Sequence, residues 1–125
     1  MSKPVYNLGD VLDKLTILSM KIYFGDEASI AEHRYLERSL AYFGLNGKII
    51  TNVIRLTLMN RFIWELENEL RKGLFDSDEH LKEHGRRAIK IRDFNKKRIE
   101  YKNIINTIAK SFKETKVQHR SGDSA

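Results

Sequence analysis

The chain of 125 residues contains no cysteine and one proline, Pro4. The missing thiols exclude a disulfide framework, a thiolate zinc site and a cysteine nucleophile. With proline confined to position 4 and only seven glycines, most of the sequence runs without helix breakers. No stretch approaches the ~20 consecutive apolar residues of a membrane span. The opening "MSKPVYNLGD" lacks the apolar core of a signal peptide, so the expected location is cytoplasmic. There is no glycine-rich phosphate loop, no G-x-S-x-G and no serine triad spacing. The reading therefore assigns no catalytic residue, no cofactor and no metal, and expects a non-enzyme.

What is present is helical patterning. Asn7 and Asp10 have capping-box spacing, with Tyr6 and Val11 placed as a hydrophobic staple. From there Leu12, Leu15, Leu18 and Ile22 line one face and Ile17, Met20 and Phe24 a second, up to a stop near Gly25. A second helix is expected from Asp26 or Ser29 to Phe43, with Leu36, Leu40 and Phe43 inward. After "GLNG", a third helix spans about 48–72. Its Ile49, Leu56, Ile63 and Leu70 recur every seven residues, with Met59 and Leu66 between them, as in a coiled-coil seam. Ile50, Ile54, Leu58 and Phe62 add a second stripe, so this helix is expected to be central. A fourth begins near Asp76 and Glu79 and runs to about Phe112, through Ile91, Phe94, Arg98, Tyr101, Ile105 and Ile108. Gly85 allows a kink there.

The fold expected is all-α: a four-helix, mostly antiparallel bundle with a long hairpin of the third and fourth helices. It forms one domain over 1–115, with a flexible tail over 116–125. The wide apolar arcs on the first and third helices predict a homo-oligomer, a dimer in the first instance.

Four polar features compete for a function. "HLKEH", His80 to His84, fits an H-x-x-E-H zinc motif, but no third ligand or cleft accompanies it. Glu65, Glu67 and Glu69 are spaced by two, so they splay around a helix and cannot converge on one magnesium ion. Segment 86–102 has eight Lys/Arg against Asp93 and Glu100 and so carries the whole net charge of +6. It is either a solvated helix face or a polyanion site.

The fourth feature is a polar layer within the bundle. Asn60, Trp64 and Glu67 share a face of the third helix, and Asn95, Arg98 and Lys102 share a face of the fourth. Packed antiparallel, these helices can pair a carboxylate with a guanidinium across the indole, joined by Asp13 or Lys14 from "NLGDVLDKLTIL". One reading is a register lock. The other is a pocket in which Arg98, Lys102, Lys14 or Lys21 holds a phosphate or carboxylate. Gly9 serves either an anion at the bare helix start or a closely packed helix.

These positions resemble a small bacterial all-helical protein family of unknown function. The likeness rests on "GDVLDKLTILSMKI", "NRFIWELENELR" and "FNKKRIEYKNIIN", and covers roughly residues 6 to 108. The matching positions are Gly9, Asp13, Lys14, Leu15, Ile17, Leu18 and Lys21, then Asn60, Trp64, Glu67 and Arg71, then Asn95, Arg98, Lys102 and Asn106. The family pattern has an acid after the asparagine matching Asn95, where this chain has Lys96. The resemblance implies one continuous helical domain and no assigned activity. Association of the family with surface-polysaccharide genes implies an accessory binding role.

The expected function is thus a non-catalytic binding or scaffold protein that acts through self-association or a protein partner. The alternative is a binder of an anionic ligand: nucleotide, nucleic acid or sugar phosphate.

Overall fold

The computed structural model describes the backbone of residues 7–72 and 78–123, and the side chains of 7–72 and 81–110. Four α-helices make up the described chain: α1 (Leu8–Tyr23), α2 (Ile30–Ser39), α3 (Gly47–Arg71) and α4 (Asp78–Asp123). No strand occurs among the described residues.

Local chemistry sets the boundaries. The Asn7 side chain caps α1 by accepting from the Asp10 N–H at 2.9 Å. The helix ends in a Schellman turn. The Asp26 N–H donates to the Lys21 carbonyl and the Gly25 N–H to that of Ile22, with Gly25 at φ +99°. Asn46 caps α3 through the Ile49 N–H at 2.9 Å. The staple residue Tyr6 and the cap residue Asp76 lie outside the described residues.

Two helices differ in extent from expectation. The second helix is shorter at both ends, flanked by 3-10 turns at Glu27–Ser29 and Leu40–Tyr42. The Asp26 carboxylate explains the first of these, because it accepts from the Ala28 N–H and the Ser29 hydroxyl and so tightens the entry. At the other end, α4 passes the expected stop at Phe112 and continues to Asp123. No proline or glycine intervenes between Gly85 and Gly122 to stop it. The helix also runs uninterrupted through Gly85.

α3 and α4 form an antiparallel hairpin with the most extensive packing in the molecule. Phe62 meets Phe94 at 5.3 Å between ring centroids, and Glu69 near the end of α3 pairs with Arg87 near the start of α4. α1 lies along the inner face of this hairpin, and α2 packs on α1. Leu8, Leu12, Ile49, Leu56 and Ile105 form the main core. A second cluster of Val11, Leu18 and Leu36 joins it through Leu15, Leu40 and Phe43.

One consequence corrects the expectation that α3 is central. With α1 and α4 both on its inner side and α2 placed beyond α1, its outer side is largely uncovered by the described elements, and only Phe62, at one end of the stripe, reaches α4 through Phe94. Ile50, Ile54, Leu58 and Phe62 are 40–58% exposed.

Candidate functional site

α1 and α4 run antiparallel and are joined by a ladder of polar contacts. At the first rung the Gly9 N–H donates to the Asn106 side-chain oxygen at 2.7 Å. A Cβ on Gly9 would stand 2.6 Å from the Lys102 carbonyl and 2.8 Å from the Asn106 oxygen. Of the two roles open to Gly9, this is close helix packing. The next rung joins Lys102 Nζ to Asp10 at 2.8 Å, with Asp13 3.8 Å from the same ammonium.

The third rung is the centre of the layer. Arg98 grips Asp13 with two parallel hydrogen bonds, Nε to Oδ1 at 2.9 Å and Nη2 to Oδ2 at 2.6 Å. Such fork-to-carboxylate pairs fix orientation as well as charge. Asn60 of α3 donates to Asp13 Oδ1 at 2.9 Å and to the Thr16 hydroxyl at 2.8 Å. Thr16 in turn donates to the Asp13 carbonyl at 2.7 Å. One carboxylate of α1 thereby ties together both helices of the hairpin.

Asp13 is 2% exposed. Burial is the largest single influence on its carboxyl and pushes the pKa up. The bonds from Arg98 and Asn60 and the charges of Arg98 and Lys102 together overcome it and hold the group below the usual carboxylate value. The hydrogen bond to Asp13 likewise holds the Arg98 guanidinium above its ordinary value, against its own burial. Asp10 and Asp13 set two negative charges against the two positive charges of Arg98 and Lys102. The layer is neutral within itself.

The structure distributes the expected site residues unevenly. Asn60, Arg98 and Lys102 meet as expected, and Asn95 accepts a long bond from Arg98 at 3.4 Å. The carboxylate they meet is Asp13, not Glu67. Glu67 pairs along its own helix with Arg71 at 3.4 Å and reaches Arg98 only through its charge. Trp64 stacks on Phe24, rings 6.0 Å apart and 12° from parallel, and does not separate the charges. Lys14 turns toward α2 and stands 3.8 Å from Glu32. Lys21 lies in the last turn of α1, the end away from Asp10 and Asn106.

Sequence reasoning gave Asp10 only a capping role, omitted Thr16, and placed Asn106 only by resemblance. Each carried a signal: Asp10 and Thr16 stand three residues either side of Asp13, and Asn106 four beyond Lys102.

Open space lies beside the layer. Grooves of about 410 and 380 Å³ flank α3, and of the layer residues only Thr16 borders either of them. In the smaller groove the buried Asn52 oxygen has no partner among the described residues. Of the "HLKEH" motif, the His80 side chain lies outside the described residues and His84 is exposed. No cluster of His, Asp or Glu among the described residues is arranged to hold a metal ion.

The basic segment of α4 is partly consumed by these contacts. Arg98 and Lys102 face α1, and Arg87 pairs with Glu69 and with Glu83. Arg86, Lys90, Arg92, Lys96 and Lys97 stay exposed. No described helix is long and apolar enough to cross a membrane. No model of a known protein family, no curated protein and no solved structure matches the chain.

Proposed function

We propose that this protein is a non-catalytic helical scaffold that works through contact between its α3 outer face and another folded chain, its own copy first. The observation that carries this reading is the stripe of Ile50, Ile54, Leu58 and Phe62. Four large apolar side chains spaced four residues apart stand 40–58% exposed over about 18 Å of helix. A contiguous apolar patch of this kind marks an interaction surface, whereas scattered apolar residues do not. The neutrality of the polar layer supports the same reading, because its cations are already matched by Asp10 and Asp13 and none is left over for an anion. The layer then serves as a register lock. Kinship with the bacterial family belongs to the proposal too: Gly9, Asp13, Asn60, Arg98, Lys102 and Asn106, which carry the resemblance, are residues that close on one another in space.

The test is the molar mass in solution. Light scattering of the wild-type chain at high micromolar concentration returns twice the monomer mass, and Leu58→Asp returns the monomer mass with unchanged helicity. A monomeric wild type refutes self-association.

A second reading, polyanion binding, is supported by the exposed cations of α4, where Arg86, Lys90 and Lys97 share one side of the helix. It predicts binding that weakens steeply with salt and is lost when those three residues are changed to glutamine. A salt-independent response counts against it.

A further inference from the structure

The charges beside the α3 stripe favour one orientation for a second copy of this chain. We infer that two copies pair α3 against α3, antiparallel, across a two-fold axis midway between Ile54 and Leu58. This inference rests on the self-association reading and specifies its geometry.

The argument is charge complementarity along the outer face of α3. Its first half begins at Gly47 and is flanked by the exposed Lys48 and Arg55, which border the groove toward α4. No atom lies within 4 Å of where a Gly47 Cβ would stand. Its second half carries Glu65, which Arg61 neutralises in part at 2.9 Å. Gly47 and Glu65 bracket the stripe in the same angular sector, eighteen residues and five turns apart. An antiparallel two-fold through the middle of the stripe sets Ile54 beside Leu58 of the second copy and Ile50 level with its Phe62. The same operation brings Glu65 over Gly47 of the second copy. There it meets the first-turn N–H groups, the positive end of the helix dipole and Lys48. The side chain missing at Gly47 lets the carboxylate approach that backbone. Arg61 falls level with the uncharged Thr51. Arg55 falls level with Thr57, which leaves the two Arg55 residues about 3 Å apart along the axis, the one like-charge approach in this arrangement.

The parallel arrangement has more such approaches. It places Lys48, Arg55, Arg61 and Glu65 each level with its own counterpart, a row of like charges beside an apolar seam. Like-charge juxtaposition of this kind selects against a pairing even where apolar contact is equal.

The absence of native cysteine makes the geometry testable by disulfide trapping. Ile50→Cys and Phe62→Cys chains are prepared separately, mixed, equilibrated and oxidised, and the products are weighed by intact mass spectrometry. Ile50 is exposed and Phe62 gives up one ring contact, to Phe94, so circular dichroism first checks that both variants keep the wild-type helicity. The antiparallel pair puts the two Ile50 positions about 18 Å apart along the axis, beyond the ~7 Å between Cα atoms that a disulfide spans. Mixed dimers are therefore expected to dominate, with little self-linked product from either variant alone. In support, Glu65→Lys raises the dimer dissociation constant roughly fivefold to tenfold, since two helix-terminus contacts are reversed. Self-linked Ile50→Cys as the main product would mean a parallel pair and overturn this inference while leaving self-association intact. A dimeric mass with no trapping at either position would move the interface elsewhere and overturn it as well. A monomeric mass would remove both this inference and the reading beneath it.

Discussion

The inner and outer sides of α3 carry opposite chemistry, and each is the reverse of what exposure alone predicts. On the inner side, where apolar packing is the rule, Asn60 reaches a buried carboxylate held by Arg98. On the outer side, in contact with water, four large apolar side chains form a continuous stripe. The difference lies in what faces each side. The inner polar groups are complete because α1 delivers Asp10, Asp13 and Thr16 to meet them. The outer apolar groups are incomplete because, apart from the contact of Phe62 with Phe94, no described element covers them. Polar groups that find partners inside the molecule join its own helices, whereas the apolar groups left outside it are the basis of the proposed contact with another molecule.

Breaking the inner side should have the largest effect. Asp13→Ala leaves the Arg98 guanidinium without its carboxylate in a half-buried site, at a cost of about 3–5 kcal/mol. Urea unfolding followed by circular dichroism measures this. A loss under 1 kcal/mol would mean that water already satisfies the pair. Gly9→Ala comes next. The new methyl meets the Lys102 carbonyl and must push α1 from α4, costing about 1–3 kcal/mol of overpacking. That outweighs the ~1 kcal/mol of helix propensity alanine gains over glycine.

Acid sharpens the same comparison. Asp13 is held below its ordinary carboxyl pKa in the folded state, so its contribution is fully present above the unfolded value near 3.8. It is lost as pH falls through the lower folded value. Wild type should therefore lose stability more steeply below about pH 4 than Asp13→Asn does, in thermal melts across that range. The smallest effect on folding belongs to the outer side. Leu58→Asp, measured at concentrations where the wild type is dissociated, should change unfolding stability by no more than about 0.5 kcal/mol.

Much of this arrangement was legible in the sequence. Asn7 and the "GLNG" turn announced two helix starts because caps and turns act on their own backbone, within reach of local pattern. Arg98 stood out because it interrupts an otherwise unbroken apolar seam, and the layer it marks is real. The identity of its partner was not legible. Glu67 and Asp13 are both carboxylates on candidate faces, and the choice depends on where α1 lies on the hairpin, which periodicity does not encode. Trp64 shares the face of Asn60, yet it is drawn to Phe24, a residue beyond the last turn of α1 whose position only the tertiary fold sets. The open outer side of α3 was also hidden. An apolar stripe reads the same whether a neighbouring helix of the chain or another copy covers it.

The most direct test is a double-mutant cycle on Asp13 and Arg98. Asp13→Leu, Arg98→Met and the pair together are unfolded in urea and compared with wild type. The geometry predicts about 3–5 kcal/mol lost in each single variant. The double variant should lose far less than their sum, a coupling of about 2 kcal/mol or more. Losses that add to within about 0.5 kcal/mol would show that the two groups do not depend on each other, and would contradict the polar lock at the centre of this account.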